Sequence, residues 1–370
     1  MSKFIKGVRL NEMFYREAVA PILSAAFPEL RYSAALIGYG SDVLGYDSER
    51  STDHEWGPRL LVFLSDEEFR KRADSISEVL ATQLPKEFRG YSTNFAEPNE
   101  NRVGWMAPAE SDRVRHHVYF HTVGEFIGGY LGIDPHRTPT IIDWLLMYQN
   151  ALLEVTGGSV YHDGLGELVP LRQSLKWYPH EVWLFMLASQ WIRIAQEEAF
   201  PSRCGEAGDE LGARINTARL VRDVMKLCFL IEGRYAPYSK WLGAAFSRLN
   251  CARELEPVLR AAIAGETWQS REQHLCAAFE IVARMHNAMG LFATLDTGTM
   301  SFHERPYRVL GAGRFAKAVS DEIRDESLRK IYAKAGPIGS IDQFADSTNL
   351  LMRPDLRTRL RVLFETAIQA

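Results

Sequence analysis

The sequence has few cysteines, no surplus of basic residues and no long apolar run. Its four cysteines are widely spaced, and no two of them form a C-x-x-C pair (Cys204, Cys228, Cys251 and Cys276). This spacing favours reduced, structural thiols over a disulfide framework or a zinc site. No apolar run approaches the length of a membrane span, and the first residues lack the apolar core of a signal peptide. We therefore expect a cytoplasmic protein that has no membrane partner.

The charge balance also excludes classes of partner. The 43 basic and 47 acidic residues leave a net charge of −4. A protein that follows an extended nucleic acid normally needs a basic face. The composition therefore weighs against nucleic acid and favours a small-molecule partner, and it does not specify an oligomeric state.

The chain is long enough for two domains, with 370 residues of which 46% are hydrophobic and 24% charged. Short apolar runs mix with helical patterns up to about residue 170, and helical patterns dominate from there. We predict an α/β domain with a small mixed sheet over residues 1–170 and an all-α domain over residues 171–370.

The most informative stretch lies between two predicted strands, Ala34 to Ile37 and Leu60 to Leu64. Gly40 and Ser41 follow the first strand, where glycine allows a sharp turn and a close approach to a ligand. Backbone N–H groups in such a turn can bind phosphate oxygens. Asp53-His54-Glu55 precedes the second strand.

Asp53 and Glu55 are candidate metal ligands. If this segment is extended, both carboxylates point to one face with their Cα atoms roughly 6–7 Å apart. Two carboxylates, completed by waters and substrate phosphates, suit Mg²⁺. The alternative is an ordinary acidic hairpin capped by Ser and Asp, because turns favour the same residues.

The order Gly40-Ser41, a short gap and then Ser51-Thr52-Asp53-His54-Glu55 resembles the nucleotidyltransferase superfamily of DNA polymerase β and kanamycin nucleotidyltransferase. The Asp-x-Glu form is similar to the branch that modifies aminoglycosides. The string from Asp53 to Arg59 resembles an uncharacterised bacterial branch of the same superfamily. The resemblance implies transfer of a nucleoside monophosphate from an NTP, such as ATP, to an acceptor hydroxyl, with Mg²⁺ or Mn²⁺ as the metal.

The resemblance also implies a third carboxylate on the next strand, which we predict over Arg113 to Thr122. No acid lies in that segment. Asp163, in a predicted strand followed by an Asp-Gly turn, is a candidate for the missing acid and general base. It is equally well explained as a turn residue.

Three basic residues of the predicted helical domain are candidate phosphate contacts. Arg219 and Arg222 lie three apart on one predicted helix, so they could face one ligand. Lys240 follows an aromatic turn and resembles, by context, a lysine that contacts the triphosphate in aminoglycoside nucleotidyltransferases. A solvated lysine beside a structural turn is the alternative.

Three functions therefore stay open. The first is a metal-dependent nucleotidyltransferase that acts on a small molecule. The second is a protein of the same fold that binds a nucleotide or a partner without catalysis, which the missing third acid favours. The third is an enzyme that transfers AMP to a protein side chain.

Overall fold

The computed structural model describes residues 4–97 and 104–369. The chain folds into two compact units. The first contains the described residues up to Thr138 together with Ala151–Lys176, and the second contains Pro139–Asn150 and the described residues from Trp177 onward. The chain therefore enters the second unit briefly, returns to the first, and leaves it again after Lys176.

The elements of the first half are, in chain order, α1 (Gly7–Phe14), a π-helix (Tyr15–Val19), α2 (Ala20–Ala26), β1 (Ser33–Leu36), a 3₁₀ helix (Glu49–Asp53), β2 (Arg59–Phe63), α3 (Asp66–Gln83), β3 (Glu87–Phe88), β4 (Tyr91–Ser92), β5 (His117–His121), α4 (Val123–Leu131), α5 (Ile141–Leu146), α6 (Gln149–Thr156), β6 (Ser159–Asp163) and α7 (Leu168–Ser174). The two predicted strands, Ala34 to Ile37 and Leu60 to Leu64, are confirmed as β1 and β2. Ser65 caps α3 by accepting a hydrogen bond from the Glu68 N–H, at 3.3 Å.

The central sheet of the first unit is mixed, with strand order β5-β2-β1-β6. β1 is antiparallel to β2 and to β6, whereas β2 and β5 are parallel. A small mixed sheet with flanking helices, followed by a helical region, is the fold class that the sequence predicts.

Alternation along β2 separates the two faces of this sheet. Leu60 and Val62 are almost completely buried in a core shared with α1, α2 and α3. Arg59 and Leu61 point to the opposite face and are only partly buried. The start of β2 therefore has a side that helices α1 to α3 do not cover.

The elements of the second half are α8 (His180–Glu197), α9 (Phe200–Glu206), α10 (Glu210–Ile231), α11 (Ser239–Phe246), α12 (Ala252–Ala264), α13 (Trp268–Ala288), β7 (Met300–Ser301), β8 (Arg308–Val309), α14 (Gly313–Ser320), α15 (Glu326–Ala335), α16 (Ile341–Phe344), α17 (Thr348–Leu351), α18 (Pro354–Arg357), a 3₁₀ helix (Thr358–Leu360) and α19 (Arg361–Gln369). The predicted helical character is confirmed, apart from one two-stranded hairpin. Among the described residues, no helix has the length and apolar character needed to cross a membrane.

Candidate functional site

Strand pairing brings the predicted loop residues to one edge of the sheet. Ala35 of β1 pairs with Leu61 of β2 in antiparallel register, so the end of β1 lies beside the start of β2. His117, the first residue of β5, pairs with Arg59, the first residue of β2. We call this end of the sheet the loop edge. The Gly40-Ser41 turn and the Asp53–Glu55 segment both emerge there.

The turn at Gly40 presents backbone donors that no described residue uses. The N–H groups of Gly40, Ser41 and Asp42 make no hydrogen bond to the described residues, and neither does the Ser41 hydroxyl. The turn is held from its other side, because the Gly40 and Ser41 carbonyls accept hydrogen bonds from Leu44 N–H (3.3 Å) and Tyr46 N–H (2.7 Å). Successive free N–H groups in a fixed turn form an arrangement that can bind an anion.

A buried ion pair fixes this turn to β2, and the sequence did not suggest it. Arg59 donates from Nη2 to Asp42 Oδ1 at 2.6 Å and to the Tyr39 carbonyl at 2.8 Å. Burial alone would lower the pKa of Arg59, but the adjacent Asp42 carboxylate more than offsets this and raises it. Gly40 has φ +143°, and a Cβ there would lie 2.2 Å from Asp42 Oδ1 and 2.3 Å from Arg59 Nη2. Only glycine leaves room for this pair.

The backbone around Asp53 and Glu55 differs from the prediction. Asp53 ends a 3₁₀ helix, and Glu55 has φ +47°, so the segment is not extended and the strand begins only at Arg59. Glu55 is held in this conformation by Gly104, which accepts from the Glu55 N–H at 2.8 Å and donates to Glu55 Oε1 at 2.6 Å. The prediction that strand alternation places the Asp53 and Glu55 carboxylates on one face was therefore wrong.

The two carboxylates nevertheless retain atoms that could bind a cation. Both side chains are exposed. One oxygen of Asp53 pairs with His54 Nδ1 at 2.8 Å and one oxygen of Glu55 accepts from Gly104, while the second oxygen of each has no partner among the described residues. No group of three or more His, Cys, Asp or Glu side chains in the described part of the chain could hold a metal ion. Two carboxylate oxygens fit Mg²⁺, which completes its shell with water and phosphate. Their metal-binding role stays a prediction.

On β5, aromatic and imidazole side chains occupy the loop-edge face where the resemblance implied an acid. His117 is buried and stacks on Phe95 with 3.4 Å between ring centroids. Burial, with a smaller contribution from the positive charge of Arg59, lowers the pKa of His117 to about 3, so its ring is neutral near neutral pH. Tyr119 is 44% exposed on the same face, and burial together with the Glu55 charge raises its pKa.

Asp163 lies at the opposite end of the sheet. It pairs with Ser33, the first residue of β1, whereas the loop edge is where β1 ends. Its Oδ1 accepts from Ser33 Oγ at 2.7 Å, and its Oδ2 accepts from Val169 N–H at 2.9 Å. Burial would raise the pKa of Asp163, but these hydrogen bonds lower it. Asp163 therefore caps the turn into α7, and the structure does not bring it together with the glycine turn.

Lys240 and Arg222 both lie in the second unit. Lys240 is exposed near the start of α11, with Nζ 5.1 Å from the centroid of the Trp241 ring. Arg222 is half-buried on α10, and no described residue accepts a hydrogen bond from its Nε. Their role as phosphate contacts stays a prediction.

A family described as "Domain of unknown function (DUF4037)" matches residues 144–242. A solved structure of a nucleotidyltransferase-like protein from Exiguobacterium sibiricum 255-15 is 14% identical, covering 86% of this chain and 91% of that one, with a TM-score of 0.31. A TM-score this low does not establish a shared fold. No curated protein matches the chain.

Proposed function

We propose that the protein transfers a nucleoside monophosphate from an NTP to the hydroxyl of a small acceptor. The loop edge carries this proposal. At this end of the mixed sheet lie two exposed carboxylates and the N–H groups of the Gly40 turn, which bond to no described residue. Phosphoryl transfer requires little covalent chemistry from a protein, because catalysis comes mainly from positioning and charge stabilisation.

Each group at the loop edge has a distinct part in this reaction. The N–H groups of Gly40 and Ser41, with the Ser41 hydroxyl, bind the β- and γ-phosphates of the NTP. Asp53 and Glu55 would hold Mg²⁺ or Mn²⁺, which would neutralise charge on the phosphates. The acceptor hydroxyl forms a bond to the α-phosphorus while the bond to the pyrophosphate oxygen breaks. The hydroxyl proton passes to solvent or to a base that we do not assign.

The Asp42–Arg59 pair serves this site as a brace. It fixes the turn against β2 at 2.6 Å, so the free N–H groups keep their direction before any ligand binds. A site that is ordered in advance loses less entropy on binding. Lys240 and Arg222, in the second unit, stay candidate contacts for a phosphate group.

Substitution of the carboxylates tests the proposal. Asp53→Asn and Glu55→Gln keep the size of each side chain and remove its charge. We expect each to reduce pyrophosphate release from NTP and Mg²⁺ by at least about a hundredfold, as for loss of a group that stabilises transition-state charge. Asp74→Asn, an exposed acid on α3, is the matched control. Unchanged turnover in both test variants, with wild-type circular dichroism, would remove the metal assignment.

A second function has its own support. No carboxylate occupies β5, and the Glu55 side chain bonds to Gly104, an arrangement that suits a protein that binds a nucleotide without transferring it. Calorimetry with ATP and Mg²⁺, paired with a pyrophosphate assay over a panel of acceptors, separates the two functions. Binding without pyrophosphate from any NTP favours the second. Labelling of a protein by radioactive ATP would instead identify an AMP-transferase.

A further inference from the structure

Helix α10 carries a guanidinium group for which the described part of the chain provides no counter-ion. Arg222 Nε is buried and has no hydrogen-bond partner among the described residues, and none of their carboxylates forms an ion pair with this side chain. A buried donor left without a partner costs free energy that water or a ligand normally offsets. Arg271, Arg314 and Arg357 also have a buried Nε without a partner, but each donates to a main-chain carbonyl from another guanidinium nitrogen. Arg222 makes no such hydrogen bond to the described residues.

The nearby carboxylates are occupied by other arginines. Asp223, fully buried on the same helix, accepts from Arg193 Nε and Nη2, both at 3.4 Å. Glu197 is bound by Arg219 through two hydrogen bonds. These two acids are therefore already paired with other arginines.

Lys226 adds a second cation one helical turn further along. Residues four apart on a helix lie on the same face, so Arg222 and Lys226 are neighbours. Lys226 Nζ donates to the main-chain carbonyl of Asp342 at 2.9 Å, and no described carboxylate pairs with it. An ammonium group has three N–H donors, so two stay available. Burial lowers the pKa of Lys226. The Asp342 and Asp223 charges oppose this shift, and the Arg222 and Arg193 charges add to it.

Asp342, whose main-chain carbonyl accepts from Lys226, balances only part of this positive charge. Asp342 is held by the Gln149 N–H, which donates to Oδ2 at 3.0 Å. Burial raises the pKa of Asp342 to about 6, against the opposing effect of the Lys226 charge. Near neutral pH its carboxylate is therefore charged, and it supplies one negative charge against the two positive charges of Arg222 and Lys226. An external anion would complete the balance.

We propose that Arg222 and Lys226 form an oxyanion site on the second unit, which takes a phosphate or pyrophosphate group. A guanidinium fork and a point-like ammonium side by side match the separate oxygens of a phosphoryl group. The inference identifies Lys226, which sequence analysis did not single out, as a binding residue. It does not depend on nucleotidyl transfer, since it concerns the second unit alone.

Calorimetric titration of the full chain with inorganic pyrophosphate and with phosphate, in the absence of NTP and divalent metal, tests the site. We expect Arg222→Gln and Lys226→Met each to weaken binding by at least about tenfold, as for loss of a charge-assisted hydrogen bond. Arg214→Gln is the matched control, because Arg214 lies on the same helix and is already paired with Glu210 at 2.9 Å. Its affinity should stay within about twofold of wild type, as expected for an exposed pair.

Three outcomes would overturn the proposal. The first is the absence of binding heat when the wild-type chain is titrated with ligand in the millimolar range. The second is wild-type affinity in both Arg222→Gln and Lys226→Met. The third is a loss of affinity in Arg214→Gln as large as in those two variants. A parallel titration of Asp53→Asn separates this inference from the proposed enzymatic function. If Asp53→Asn loses turnover but binds pyrophosphate like wild type, both proposals stand. If the wild-type protein binds pyrophosphate but never releases it from NTP, only the enzymatic proposal fails.

Discussion

Replacement of Gly40 by alanine should destabilise the first unit by disturbing the Asp42–Arg59 pair. The added Cβ would lie 2.2 Å from Asp42 Oδ1 and 2.3 Å from Arg59 Nη2, and real Cβ contacts are never that short. Both atoms belong to a buried pair, with Asp42 fully buried and the Arg59 side chain 13% exposed. The pair must therefore separate or the turn must change shape.

The magnitude follows from two contributions. A non-glycine residue in a sparsely populated backbone region costs about 1–3 kcal/mol. Breaking a buried ion pair by removing one partner costs about 3–5 kcal/mol, and a displaced pair loses part of this. We expect Gly40→Ala to lower the free energy of unfolding by about 3 kcal/mol, measured by urea denaturation followed by circular dichroism.

Gly129 provides the matched control. It lies within α4, and an added Cβ would meet no heavy atom within 4 Å. Gly129→Ala should therefore stabilise the protein by about 0.5–1 kcal/mol, the usual gain from alanine in a helix. Equal unfolding free energies for Gly40→Ala and wild type, or equal losses in both variants, would refute the importance of the buried pair.

Two further predictions concern stability. Burial lowers the pKa of His286 to about 4, whereas the ring has a pKa of about 6.5 in the unfolded chain. Between these pH values the unfolded chain therefore binds more protons than the folded one. The free energy of unfolding falls as the pH drops through this window, by up to roughly 3 kcal/mol. His286→Phe, measured by urea denaturation at about pH 7 and about pH 5, should lose less stability on acidification than wild type, and an identical loss would contradict the assignment. Asp163→Ala should lower the free energy of unfolding by about 1–2 kcal/mol through loss of the cap before α7, and a melting temperature equal to that of wild type would contradict the capping role.

Prediction from sequence succeeded where local chemistry decides the structure. The apolar runs before Gly38 and after Arg59 became β1 and β2, shifted by a single residue. The helical patterns predicted from residue 171 onward likewise became helices such as α8. The metal, phosphate and acceptor roles are still predictions, since neither the fold nor the comparisons test them.

The prediction failed where a distant residue fixes a side chain or a backbone angle. The conformation of Glu55 depends on Gly104, which is 49 residues away. Asp163 caps a turn and accepts a hydrogen bond from Ser33, 130 residues away in sequence. The Asp-Gly pair is therefore part of a structural turn at the end of the sheet opposite the loop edge. The segment Pro139–Asn150 was placed in the first domain, whereas its contacts group it with the second unit.

The sequence by itself determined the fold class, the glycine turn between two strands and the candidate acids beside it, because backbone preferences and apolar periodicity act over a few residues. Only the tertiary structure decided that Arg59 neutralises Asp42. It also decided that, among the described residues, none accepts from the N–H groups of the Gly40 turn and none is a counter-ion for Arg222, while Arg193 and Arg219 have theirs. The reason is physical: a charge is paired or left unpaired by residues that meet through packing, and that packing joins parts of the chain that are remote in sequence.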